Sequence, residues 1–92
     1  MKQLKNKKIA VIGSGNMAGA MIGALLRKQE LTPDQITASD PYTEQRERIS
    51  EKYSVKVSEN NRDAAKSADI IILAVKPQVL PVVLDELKGH LK

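Results

Sequence analysis

With 92 residues, 41% hydrophobic and 28% charged, the chain has the size and composition of one small globular domain, which excludes disorder and a large catalytic apparatus. The absence of cysteine and the single histidine, His90, exclude a disulfide framework, a cysteine–zinc site, a histidine-based metal cluster and a Ser-His-Asp triad. The net charge of +4 comes partly from Lys2, Lys5, Lys7 and Lys8, a solvated basic arm rather than a nucleic-acid or membrane contact, because no basic helix face or aromatic interleaving accompanies it.

Strands and helices then alternate. Lys8–Ile12 is a short apolar run ending at glycine and predicts a buried strand. It is too short for a signal peptide, and no segment approaches about 18 uninterrupted apolar residues, so no membrane span is expected and the default location is the cytoplasm. Met17–Lys28 has apolar residues at helical spacing (Met17, Ala20, Met21, Ala24 and Leu25), with small residues at Gly19, Ala20, Gly23 and Ala24 that suit close approach to a sheet. A Thr-Pro-Asp turn within Leu31–Gln35 leads to a second strand, Ile36–Ser39. Thr43 is a plausible N-cap for a polar helix reaching Lys52, with Glu47 near its first turn. Ser54–Val57 is a third strand, and Asn60 or Asn61 caps a short helix through Lys66. Asp69–Val75 gives the strongest strand signal, because its apolar residues run on without alternation, as in strands buried on both faces. Pro77 starts a last helix through about Lys88, with Val79, Val82, Val83 and Leu87 on its inner face.

The order βαβαβαβα predicts right-handed crossovers and a parallel sheet covered on both sides. The fold class is α/β: a Rossmann-like doubly wound sheet cut to four strands in the order 3-2-1-4. Its ligand site is expected beyond the strand C-termini, where strands one and four flank the switch point. All 92 residues read as one dinucleotide-binding domain, and the ending just after strand four reads as that of a fragment.

Gly13-Ser14-Gly15-Asn16-Met17-Ala18 fits G-x-G-x-x-G/A. The match alone is weak, but it follows a strand and opens a helix inside a βαβ unit, which is the context the motif requires. Gly13 allows the tight turn, Gly15 leaves the backbone open to a pyrophosphate, and Ala18 lets the helix sit close to the strand. The helix N-terminus then offers unpaired amides and a positive dipole end to the anion. A plain glycine-rich turn is the bland alternative. Asp40 stands about 20 residues past the motif, at the end of strand two, where a carboxylate accepts from ribose hydroxyls and repels a 2′-phosphate. That favours NAD over NADP, whereas Arg46 and Arg48 just downstream favour the phosphate. Asp40 is equally a turn residue before Pro41, and the arginines suit a solvated helix face. Ala74-Val75-Lys76-Pro77 forms a corner after strand four, with Lys76 pushed out of the helical region by the proline. Asn61 is a helix cap first and a cofactor contact second.

With these blocks in place the chain resembles pyrroline-5-carboxylate reductase. The resemblance rests on Ile12 through Met17 with Ala18, on Ala74-Val75-Lys76-Pro77, and on Asp85-Glu86-Leu87 closing the last helix. It covers essentially the whole chain, and the combination with Ala-Val-Lys-Pro is far more specific than the glycine block alone. It implies reduction of the C=N bond of 1-pyrroline-5-carboxylate to proline by NADPH or NADH. It assigns cofactor contacts to Ile12, Gly13, Ser14, Gly15, Asn16, Met17, Asp40, Asn61, Ala74, Val75, Lys76 and Pro77. The family often prefers NADPH, and many members have a small polar residue in place of Asp40. It also has a second, helical domain that forms the dimer and supplies most substrate-binding groups, so no catalytic side chain is assigned here. The whole protein is then expected to be a homo-oligomer acting on a small molecule, with no nucleic-acid, membrane or metal partner. Two other classes stay open: an F420-dependent NADP reductase or 3-hydroxyacid dehydrogenase relative, and a non-catalytic NAD(H)-sensing module.

Overall fold

The computed structural model describes residues 6–13, 15–27 and 31–88. Expectations for Lys2, Lys5, Ser14, Lys28 and His90 lie outside the described residues. Four strands, β1 (Ile9–Ile12), β2 (Ile36–Ser39), β3 (Lys56–Ser58) and β4 (Ile70–Leu73), alternate with four helices, α1 (Asn16–Arg27), α2 (Thr43–Tyr53), α3 (Asn61–Lys66) and α4 (Leu80–Leu87). A 3-10 turn, Pro33–Gln35, leads into β2. All strand pairs are parallel and the sheet order is β3-β2-β1-β4, as the alternation of elements predicts.

β1 is central and wholly buried. Its side chains alternate between two apolar layers, as the strand period requires. Ile9 and Val11 join Ala18, Ile22, Ile36, Ala38 and Ile49 on the α1–α2 side. Ala10 and Ile12 join Ala64, Ala65, Ala68, Val83 and Leu87 on the α3–α4 side. The register places Ile12 opposite both Ser39 and Leu73, so the carboxyl ends of β2, β1 and β4 finish level.

Several local expectations change. The buried face of α1 is Ala18, Gly19, Ile22 and Gly23, whereas Met17 is 61% exposed and Ala20 and Ala24 face solvent. The run of apolar and small residues supports more than one stripe, and packing chose the stripe that carries Ile22. Gly19 and Gly23 meet Ile49 and Tyr53 of α2 rather than the sheet. Tyr42, not Thr43, is the N-cap position of α2, and the helix ends on Ser54 in a left-handed conformation (φ 61°) whose N–H donates to the Ser50 carbonyl. That turn displaces β3 to Lys56–Ser58. Asn60 caps α3 by accepting from the Asp63 N–H at 3.1 Å, so Asn61 is not the cap. Residues 77–79 form a turn, and α4 starts at Leu80 with Pro81 in its first turn. The expected role of Pro77 at that position belongs to Pro81. Only Val83 and Leu87 of the expected inner face are buried, and Val79 and Val82 are exposed. β4 is not buried on both faces: Ile70, Ile71 and Ile72 are half-buried and Leu73 is exposed, because β4 ends the sheet order and pairs with β1 alone among the described strands.

Candidate dinucleotide site

The candidate residues converge at the carboxyl edge of the sheet. Three lateral bonds fix that edge. The Gly13 N–H donates to the Ser39 carbonyl at 2.7 Å, the Ala74 N–H to the Ile12 carbonyl at 2.9 Å, and the Asp40 N–H to the Ser58 carbonyl at 3.1 Å. The glycine loop, the end of β2 and the corner after β4 are therefore one hydrogen-bonded rim.

The two glycines differ. Gly13 has φ 107°, and a Cβ there would stand 2.6 Å from the Ala74 oxygen and 3.3 Å from Val75 Cγ1. Only glycine fits, because the backbone is in the left-handed half of φ space and the corner presses on it. At Gly15 a Cβ would meet nothing within 4 Å. The packing of the chain thus gives no reason for glycine at position 15, while close backbone approach by a ligand does. The Gly15 carbonyl accepts the Gly19 N–H at 2.9 Å, the first turn of α1. No acidic residue stands in that first turn, whereas α2 has Glu44 and α3 has Asp63 in theirs. The positive end of α1 is not offset by its own carboxylate. Helix amides that have no carbonyl partner within the helix, an open glycine and a positive dipole end suit a pyrophosphate, so the residues present fit a dinucleotide.

Around this loop the other candidates take separate places. Asn16 and Met17 are exposed at the start of α1. Asp40 is half-buried, and its Oδ1 accepts from the Tyr42 N–H at 2.9 Å, the turn geometry expected before Pro41. Arg46 folds back over the same turn, donating to the Asp40 carbonyl at 2.8 Å and to Thr43 Oγ1 at 3.1 Å. Its guanidinium thus stands at the Asp40 turn that follows β2. Arg48 turns elsewhere, bonding Gln45. With Lys52, Ile49 and Tyr53 it forms one wall of a 250 Å³ cleft whose other wall is Gly15, Asn16, Gly19 and Ala20. Lys52 was not legible as a neighbour of the glycine loop, since only the α1–α2 packing brings it there. Val75 is half-buried against Gly13, while Lys76 and Pro77 are exposed; the Lys76 carbonyl accepts from Val79 and Leu80. Asn61 leaves capping to Asn60 and points to Ser39, whose hydroxyl donates to its Oδ1 at 2.6 Å.

A family model described as "NADP oxidoreductase coenzyme F420-dependent" matches residues 8–92. The chain belongs to this family. It is also similar to curated reductases. It is 43% identical over 89 residues to the pyrroline-5-carboxylate reductase of Pseudomonas aeruginosa, covering 97% of this chain and 32% of that one. A solved pyrroline-5-carboxylate reductase from Coxiella burnetii superposes with a TM-score of 0.87 at 32% identity, over 94% of this chain and 32% of that one. An imine reductase from Myxococcus stipitatus, solved with NAD+, follows at TM-score 0.75 and 28% identity, over 94% of this chain and 29% of its own length. The chain thus spans about a third of the length of the relatives it matches. Among the described residues no helix is long and apolar enough to cross a membrane.

Proposed function

We propose that this chain is the dinucleotide-binding part of an enzyme that reduces 1-pyrroline-5-carboxylate to proline. The observation that carries the reading is the contact of Gly13 with Ala74 and Val75. It joins the two sequence blocks whose combination resembles the reductases, and relatives at up to 43% identity carry that name.

In this reading Gly13, Gly15, Asn16 and the amides of α1 hold the pyrophosphate, with Ile12, Ser14 and Met17 completing the loop. Asp40 and Arg46 border the adenosine ribose, Asn61 offers its amide at the ends of β2 and β3, and Ala74, Val75, Lys76 and Pro77 line the nicotinamide side. The reduced nicotinamide, when bound, supplies the hydride to the imine carbon, and the ring nitrogen takes a proton. The chain orients and screens; it assigns no proton donor to that nitrogen. We place the whole protein in the cytoplasm as a homo-oligomer. Asp40 argues for NADH and the family's description for NADPH, and the charge on Asp40 weighs more because Arg46 is already engaged with backbone and Thr43 oxygens.

The test is a graft. Replacing the matching third of the Pseudomonas reductase with this chain should give an enzyme that forms proline and consumes reduced nicotinamide. A folded graft that binds dinucleotide but forms no proline would contradict the reading. That outcome would favour a second reading supported by the family's description, an F420-dependent NADP reductase.

A further inference from the structure

Ser39 is the fully buried polar side chain among the described residues. Its hydroxyl donates to Asn61 Oδ1 at 2.6 Å, and Asn61 Nδ2 donates to Glu86 Oε1 at 3.2 Å. The chain of bonds therefore runs from the end of β2, through the first residue of α3, to α4. Glu86 is held in turn, because Arg62 Nε donates to its carbonyl at 2.8 Å. Asn60 already caps α3, so local structure does not require the Asn61 amide. The segment Asp85-Glu86-Leu87 entered the sequence resemblance without a role; Leu87 is buried core and Glu86 faces Asn61.

An amide can present either end to a neighbour, and a serine hydroxyl can donate or accept. An ionised carboxylate only accepts. Glu86 therefore fixes the NH2 end of Asn61 toward itself, the oxygen end toward Ser39, and Ser39 as the donor. The sense of both bonds is set from α4. The second N–H and the second lone pair of Asn61 are then held in one direction, and a group fixed before binding loses less entropy on binding.

We propose that Ser39 and Glu86 are positioning residues that lock the Asn61 amide in one orientation for the dinucleotide. This rests on the dinucleotide reading above and makes α4 a supporting element of a site it does not touch directly. Glu86→Gln keeps the shape but offers either an oxygen or an NH2 group, so the amide loses its bias. Ser39→Ala removes the inner donor.

The experiment is a set of NADH and NADPH titrations by calorimetry on the wild-type chain, Ser39→Ala, Glu86→Gln, Asn61→Ala and the two doubles with Asn61→Ala. Melting of each ligand-free chain and the Asn61 side-chain amide signals in 15N–1H spectra accompany them. Each single positioning variant should weaken binding about three- to tenfold. Neither should weaken it further once Asn61 is alanine, which a general packing defect would do. Glu86→Gln should shift the Asn61 amide signals while leaving the ligand-free melting temperature close to wild type. Wild-type affinity in both Ser39→Ala and Glu86→Gln, or losses that persist in the Asn61→Ala background, would overturn the proposal. So would equal binding by wild type and Asn61→Ala, and in that case the dinucleotide reading stands without it. Failure of the wild-type chain to bind either dinucleotide would overturn both.

Discussion

Gly13 and Gly15 carry the same letter in the motif and meet opposite environments. Gly13 is demanded by the fold, with φ 107° and a carbonyl 2.6 Å from any Cβ. Gly13→Ala should cost about 1–3 kcal/mol, read as a fall in melting temperature without ligand. Gly15 has open space around it, so Gly15→Val should leave ligand-free stability within about 0.5 kcal/mol. It should weaken dinucleotide binding more than about tenfold, or 1.4 kcal/mol. A ligand-free melting loss at Gly15 as large as at Gly13 would refute this division. Asp40 belongs to the same scale. Asp40→Ser removes the charge beside Arg46 and should tighten NADPH binding about tenfold relative to NADH. An unchanged ratio in parallel titrations would show that Asp40 acts only as the turn former. The motif spacing made all three residues legible; the distinction between the glycines was not, because it depends on what the β4 corner places against each.

At the scale of elements, the strands were more legible than the helix faces. β1, to within one residue, and the centre of β4 follow from short apolar runs, which leave little choice, whereas β2, Ile-Thr-Ala-Ser, is weakly patterned. In α1 the sequence offers apolar or small residues all round, so its periodicity selects no unique stripe, and the buried one contains Ile22 and Gly23 instead of Ala20 and Ala24. The small residues also serve a helix–helix contact. A Cβ at Gly19 would lie 3.5 Å from Ile49 Cδ1, ordinary contact. Gly19→Ala should therefore stabilise the chain by about 0.5–1 kcal/mol through helix propensity, raising the melting temperature. A fall instead would mean that the α1–α2 spacing is tighter than this. The sequence predicts a start of α4 at Pro77, whereas Pro81 holds the proline position of its first turn. The turn at residues 77–79 delays the helix to Leu80, which rotates Val79 and Val82 outward. Leu87 remains wholly buried, and Leu87→Ala should cost about 2–5 kcal/mol in melting or denaturant unfolding.

For the whole molecule, the strand order followed from the alternation of strands and helices in a doubly wound sheet. Parallel strands with helices on both sides leave one edge where β1 and β4 diverge into separate turns, and the glycine loop and the corner meet there. What no periodicity could reveal is the link among three separate segments: Ser39, Asn61 and Glu86 lie far apart in sequence, and only the packing of α3 against β2 and of α4 against α3 brings them together. We infer that this sheet edge binds a nicotinamide dinucleotide using residues of this chain. The most direct measurement is the melting temperature of the chain against increasing NADH and NADPH. A ligand that binds the folded state must raise it with concentration, by about 2.7 kcal/mol of added stability at a hundred times Kd. The expected result is a rise with both, larger for NADH and clearly smaller in Gly15→Val. No rise with either dinucleotide at millimolar concentration would contradict it.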